Sequence, residues 1–171
     1  TLGGSDFDKG YAIVQDVDSG FIIGGSSRSY GDGSEDGWII KVDSEGNLEW
    51  DSVFGNENGD DFGYSVQETN DNGYIITGST PSDGLSSMDL WLLKVNSQGN
   101  EEWNNTFSNE IGVHNEIGKS VQQTTDGGYI ITGGTDSFGN GSWDVWLIKT
   151  DSNGNEEWST TFGGEGPDQG Y

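Results

Sequence analysis

The sequence predicts an all-β fold made of three copies of a four-stranded antiparallel unit, and three observations predict it. The hexapeptide GYIITG occupies residues 73–78 and 128–133, and a variant, GFIIGG, occupies 20–25. Each is followed by an Asp-x-Trp-apolar-apolar-Lys segment that begins at Asp36, Asp89 or Asp144. Each segment leads through a Gly-Asn pair to another tryptophan, and these (Trp50, Trp103, Trp158) stand 53 and 55 residues apart. A period of this length means an array of similar supersecondary units. The two additional residues fall between Trp103 and Gly118, so that connection changes length and reads as a surface loop.

The second copy shows what one unit is. Residues 64–69 (YSVQET) form a short β-prone run, and NDNG at 70–73 supplies residues that tolerate positive φ in a tight turn. The following YIITGS is a second strand whose contiguous apolar residues mean that both faces are covered. From Gly78 to Asp89 runs an eleven-residue interval with Pro81, Asp83 and Gly84, which suit turns. LWLLKV at 90–95 is a third strand, again apolar on both faces. NSQGN turns the chain into EEWNNTF at 101–107, where Trp103, Asn105 and Phe107 share one side and the other side is wet.

Two-sided burial of the middle strands requires sheets stacked face to face, and four-stranded antiparallel units stacked around an axis are the blades of a β-propeller. A sandwich of about a dozen strands is the competing fold. The equal intervals Gly25–Asp36, Gly78–Asp89 and Gly133–Asp144, all eleven residues, favour the propeller. The expected repeats cover approximately 10–62, 63–117 and 118–169 of a single domain, followed by the start of a fourth. The pattern GYSVQQTxDGGYIITGxT…DxWLIKTDSNGNExWxxTFGG resembles the secreted β-propeller repeats of bacterial and archaeal cell-surface proteins, which are distant from WD, kelch and quinoprotein-type blades. The resemblance implies the fold over the whole chain and an extracellular or cell-surface location. It implies no chemistry, because function is not carried by fold. TLGGSDFDKGY at 1–11 resembles TFGGEGPDQGY at 161–171, so the two ends share one phase of the repeat. Three blades fall short of the four to eight of a typical ring. The expected partners are therefore further blades of the same chain, if the sequence is a piece of a longer array, or other copies of the chain. Thr1 in place of Met fits a processed or cropped start.

Composition agrees with a folded domain. Apolar residues make 29%, and thirty glycines bring the total near the usual range, while seven Trp, seven Phe and six Tyr argue against disorder. Six basic residues against thirty acidic ones give −24, which repels nucleic acid and anionic membranes and attracts cations. No run is long enough to insert in a membrane as a helix. Zero cysteines exclude disulfides and thiolate metal sites.

The candidate sites divide into structural and functional readings. Lys41, Lys94 and Lys149 sit in otherwise apolar strands, and a buried cation needs a carboxylate of its own or the next blade. The six repeated tryptophans (Trp38, Trp50, Trp91, Trp103, Trp146, Trp158) are expected between blades. An acid stands two residues ahead of Gly before every first strand: Asp8, Asp61, Glu116 and Asp168. With Asp32, Asp83 and Asp136 on the same face, these acids form either a solvated rim or an oxygen-rich Ca²⁺ site. The hairpin TDSNGNEEW reads as turn chemistry, since it lacks the span and Glu of an acidic Ca²⁺ loop. Tyr30, Phe138 and Trp143 are loop aromatics able to stack on a sugar or to anchor their loops. NNT at Asn104 and NGS at Asn140 are N-glycosylation triplets. His114 is the single histidine, and there is no G-x-S-x-G and no phosphate-binding Gly loop. Paired carboxylates for glycoside hydrolysis are expected by chance in so acidic a chain, so part of a propeller hydrolase is the remotest reading. The expectation is a non-catalytic structural or adhesive module, with a carbohydrate-binding propeller as the alternative.

Overall fold

A computed structural model describes residues 1–56, 59–82, 87–109, 114–168 and 170. It is all-β, with twelve strands and no helix among the described residues, so no helix there is long and apolar enough to cross a membrane. The first sheet comprises β1 (Asp8–Gln15), β2 (Phe21–Ser27), β3 (Asp36–Val42) and β4 (Leu48–Phe54). The second comprises β5 (Phe62–Glu68), β6 (Tyr74–Pro81), β7 (Met88–Val95) and β8 (Glu101–Phe107). The third comprises β9 (Glu116–Gln123), β10 (Tyr129–Thr135), β11 (Asp144–Thr150) and β12 (Glu156–Phe162). Every sheet is an antiparallel meander in chain order.

The turns form where the sequence demands unusual backbone. Between the first and second strands the left-handed position is Ser19, Asn72 or Gly127 (φ 68°, 62° and 88°). Between the third and fourth it is Gly46, Gly99 or Gly154 (φ 82°, 77° and 78°). The residue that opens each of these later turns caps it. Asp151 Oδ1 accepts the N–H groups of Asn153 (2.8 Å) and Asn155 (2.9 Å), as Asp43 and Asn96 do in their turns. The TDSNGN hairpin is thus held by turn chemistry.

At the same end of each sheet as these turns, the buried lysine of the third strand is clamped by two carboxylates of its own sheet. Lys41 meets Asp16 at 2.6 Å and Glu49 at 3.0 Å. Lys94 meets Asp71 (3.1 Å) and Glu102 (2.8 Å), and Lys149 meets Asp126 (3.1 Å) and Glu157 (2.9 Å). Burial alone pushes the Lys41 ammonium down, but Asp16 and Glu49 together hold it above its ordinary value. Although burial opposes it, hydrogen bonds from Thr69 and Gly73 and the Lys94 charge bring Asp71 down to about 2.

Successive sheets stack through their apolar faces. Ile22, Ile39, Val66, Ile76, Trp91 and Leu93 fill the space between the first and second. Ile75, Leu92, Val121, Ile131, Trp146 and Ile148 fill that between the second and third. Strand β5 lies against β1 and β2, and β9 against β5, β6 and β7, while the first and third sheets share no extensive contact among the described residues. Two glycines allow the approach: a Cβ on Gly118 would collide with the Thr77 hydroxyl, and one on Gly99 would lie 2.6 Å from the Trp50 ring.

The tryptophans correct one expectation. Trp38, Trp91 and Trp146 are buried, and Trp50 and Trp103 pack on the next sheet against Tyr74 (5.9 Å) and Tyr129 (5.7 Å). Trp158 is 47% exposed, since no sheet among the described residues packs over it. The elongated connection between β8 and β9 includes residues 110–113, outside the described residues.

Truncating Leu92, fully buried between the second and third sheets, removes contacts on which both depend. Leu92→Ala is expected to lower unfolding free energy by about 2–5 kcal/mol in a denaturant titration.

Candidate functional site

Strand register gathers the acids and loop aromatics at one end of the three sheets. Asp8 pairs with Ser27 and Ser27 with Asp36; Glu116 pairs with Thr135 and Thr135 with Asp144. The loops between the second and third strands, and the connections between sheets, all emerge here.

Of the four acids expected as a Ca²⁺ site, Asp8, Asp61 and Glu116 stand at the start of the three sheets and Asp168 follows the third, and each is engaged locally. Asp8 accepts the hydroxyls of Ser27 (2.5 Å) and Ser29 (2.9 Å) and the Gly4 N–H (2.9 Å). Asp61 accepts the Asn56 N–H at 3.0 Å, and Asp168 the Gly164 N–H at 3.0 Å. Glu116 accepts the hydroxyls of Thr135 (3.2 Å) and Ser137. In three of the four, the carboxylate closes the loop that precedes it by binding an amide four or five residues back. Among the described residues, no group of three or more acids or histidines is arranged to hold a metal ion. Asp32 accepts from Ser34 at 2.9 Å, Asp136 accepts from the Asn115 N–H at 2.8 Å, and Asp83 lies outside the described residues.

A second set of acids, at the start of each third strand, completes the arrangement. A Cβ on Gly55 would lie 2.6 Å from both Asp36 Oδ1 and Asp61 Oδ2, so the two carboxylates converge over this glycine. Gly163 lies between Asp144 and Asp168 in the same way. Sequence reasoning found both members of each pair but not the pairing, in which the segment after the fourth strand brings the next acid back beside the third-strand Asp. Burial, with the neighbouring charges of Asp36 and Asp32, pushes Asp61 up to about 6 despite hydrogen bonds from Thr80 and Asn56. Burial likewise raises Asp36 and Glu116. A cavity of about 60 Å³ beside Asp61 is lined by Asn56, Thr80, Asn104 and Thr106, polar enough and large enough for water.

The three loop aromatics are not brought together. Tyr30 packs on Trp38 (5.6 Å), and Phe138 packs on Trp146 (5.0 Å). Trp143 is half-buried, with its ring over Gly134. Phe138 borders an open groove of about 400 Å³ with Thr106, Ser108, Glu156 and Ser159. Asn104 and Asn140 of the glycosylation triplets are both exposed. His114 Nδ1 lies 3.1 Å from Asp136 Oδ1.

One set escaped the sequence reading. Each first strand carries a β-bulge after its glycine, which leaves Tyr11, Tyr64 and Lys119 as the additional residues. Tyr11 meets Tyr64 edge-on at 5.1 Å, and Lys119 Nζ sits 3.9 Å over the Tyr64 ring. The repeated Gly-Tyr/Lys-Ser/Ala triplet was the available signal, but nothing in it announces a bulge.

The sequence matches no family model and none of the curated proteins. A crystal structure of a protein of unknown function from Bacteroides caccae is similar over 94% of this chain and 70% of that one, with 10% identity and a TM-score of 0.48.

The raised Asp61 gives a signed pH dependence. Its proton is held more tightly folded (about 6) than at its ordinary 3.8, so stability from this group is gained as pH falls through 6 and lost as pH rises through it. Melting temperature is expected to rise between pH 7.5 and pH 5, with Asp61 contributing on the order of 1–3 kcal/mol. In Asp61→Asn that rise should shrink, since the amide cannot ionise; an unchanged pH profile would show that Asp61 does not titrate there.

Proposed function

We propose that the three sheets are consecutive blades of a β-propeller and that the chain is a non-catalytic extracellular module, a structural or adhesive element of a microbial cell surface. One observation carries this reading: the repeated polar residues are consumed by architecture. The lysines are clamped within their sheets, and Asp43, Asn96 and Asp151 cap turns. The acids Asp8, Asp61, Glu116 and Asp168 tie down loops. Among the described residues, three copies of the same structural set account for these polar groups, with no asymmetric group of nucleophile, base and oxyanion donors of the kind that catalysis requires. A charge of −24 on a surface rich in Asn, Ser and Gly suits a hydrated outer coat, and its diffuse field attracts Ca²⁺ and other cations without a dedicated cage.

Carbohydrate binding is the second reading. The groove beside Phe138 favours it, since an aromatic edge with hydroxyl and carboxylate neighbours is the chemistry that holds a sugar ring.

Immunogold labelling of source cells is expected to mark the envelope, and cytoplasmic label would overturn the surface assignment. On a glycan array the structural module gives no signal. A signal abolished by Phe138→Ala or Trp143→Ala, with the melting curve preserved, would establish the carbohydrate reading instead. Hydrolytic or redox turnover lost on one carboxylate substitution would overturn both.

A further inference from the structure

Both ends of each sheet bring two acids together, and the two ends treat them differently. At the turn end the acids close on a cation: Asp16 and Glu49 hold Lys41, and Lys94 and Lys149 are held in the same way. At the loop end the acid that opens each third strand meets the acid that comes after the fourth. Asp36 meets Asp61, Asp89 is a charged neighbour of Glu116, and Asp144 meets Asp168. Among the described residues, no Lys or Arg pairs with any of these six acids.

These pairs carry oxygens that the chain leaves unsatisfied. Asp36 uses Oδ2 to accept the Asp32 N–H (3.2 Å), and Asp144 uses Oδ2 to accept the Asn140 N–H (2.8 Å). Asp61 uses Oδ2 for the Asn56 N–H (3.0 Å), and Glu116 uses Oε1 for Thr135 (3.2 Å) and Ser137. Left over are Asp61 Oδ1, Glu116 Oε2 and Asp144 Oδ1, one oxygen from each pair, all buried and without a hydrogen-bond donor. No other buried side-chain polar atom among the described residues is in that condition. Their residues are 0%, 1% and 1% exposed. A carboxylate oxygen that gives up hydration with nothing in return is costly, and the same orphan in three repeats calls for a ligand the chain does not supply.

The space beside the carboxylates is kept open. A Cβ on Gly55 would lie 2.6 Å from both Asp36 Oδ1 and Asp61 Oδ2, and one on Gly163 would collide with Asp144 Oδ1. Neither glycine has a positive φ, so it is the room and not the backbone that requires glycine there. The repeat with Ser108 in the glycine's place carries the longer Glu116. Beside Asp61, Asn56 and Thr80 line the cavity, hydrogen-bonded to each other at 2.9 Å, and add amide and hydroxyl oxygens.

We propose that each of these carboxylate pairs is a Ca²⁺ site, with the Asp36–Asp61 pair the most complete. The donors are hard oxygens, which select Ca²⁺ over the metals that prefer imidazole or thiolate. Ca²⁺ accepts about six to eight oxygens in irregular geometry, so two carboxylates, loop oxygens and water suffice, whereas Mg²⁺ demands a near-ideal octahedron. With two carboxylates and no rigid cage the Kd falls at about 10⁻⁴–10⁻³ M. The ion does at the loop end what lysine does at the turn end, and it takes the place of the proton that burial otherwise favours on Asp61. Because Asp36 opens β3 and Asp61 immediately precedes β5, the ion also ties the first sheet to the second. The proposal rests on these pairs and not on the surface-module reading.

Equilibrium dialysis of the chelator-treated chain against Ca²⁺ at physiological salt, with melting curves in parallel, tests this. Binding is expected to saturate in the millimolar range. Melting temperature should rise more than in NaCl or MgCl₂ of equal ionic strength, which control for screening of the −24 charge. Asp36→Asn and Asp61→Asn should each lower bound Ca²⁺ by one ion per chain. Gly55→Ala keeps both carboxylates but fills the space beside them, and should weaken that site about tenfold or more. Asp43→Asn removes a turn carboxylate at the other end, where the second repeat already has Asn96, and should leave the number bound unchanged. The unsubstituted chain gives a further reading: Trp91 lines the Asp61 cavity, so tryptophan excitation should sensitise bound Tb³⁺, and Ca²⁺ should suppress that emission. No binding beyond the effect of matched NaCl, binding indifferent to the three site variants, an equal loss in Asp43→Asn, or no sensitised emission would each overturn the proposal. None of these outcomes bears on the surface-module reading, which stands on immunolabelling and the glycan array.

Discussion

The contact on which the rest of the structure depends is an indole laid on a glycine. Trp50 over Gly99 and Trp103 over Gly154 bring the fourth strand of one sheet against the hairpin of the next, with Tyr74 or Tyr129 completing the seat. A four-stranded sheet with apolar residues on both faces cannot hide them alone, so each sheet is stable only against a neighbour. The left-handed backbone at Gly99 and Gly154 serves twice, turning the hairpin and leaving room for the ring. Any side chain there would push the sheets apart and open the interiors that bury Leu92 and Ile131 on one side and Val66 and Leu93 on the other.

Charge is organised around that stack. Three of the six basic residues are clamped in the sheets by pairs of carboxylates, which leaves most of the thirty acids without a cationic partner. Many of those acids are nevertheless occupied, because an ionised carboxylate is a strong acceptor for loop amides and hydroxyls. The same chemistry that makes the chain acidic therefore shapes its turns and inter-sheet connections. Where two such carboxylates converge over a glycine, as Asp36 and Asp61 do, burial and mutual repulsion favour the proton on one of them.

Because the repeat accounts for packing and turns, individuality lies where copies depart from it. In the first sheet the lysine clamp uses Asp16, whereas the others use Asp71 and Asp126, two positions further on in the repeat. The bulged position of the first strand is Tyr11 and Tyr64 in two copies and Lys119 in the third, which turns a pair of aromatic rings into a cation–π stack. His114 has no repeated equivalent, and Phe138 is matched by Tyr30 in the first copy but by Asp83 in the second.

The sequence by itself determined the β class, the period, the middle strands apolar on both faces, the turn positions and the need of each strand lysine for a carboxylate. All of these follow from local chemistry: residue alternation, positive-φ tolerance, and the cost of an unpaired buried charge. Only the tertiary structure decided which of several identical residues are covered. Trp103 and Trp158 occupy the same position of the repeat, yet one packs on Tyr129 and the other stands in solvent. Nor could local pattern show that Asp61 meets Asp36 across Gly55, or that Asp8, Asp61, Glu116 and Asp168 tie down their loops rather than gather at one point. Burial and carboxylate pairing are set by the neighbouring sheet, and a repeat that writes the same residues three times is silent on whether a neighbour is there.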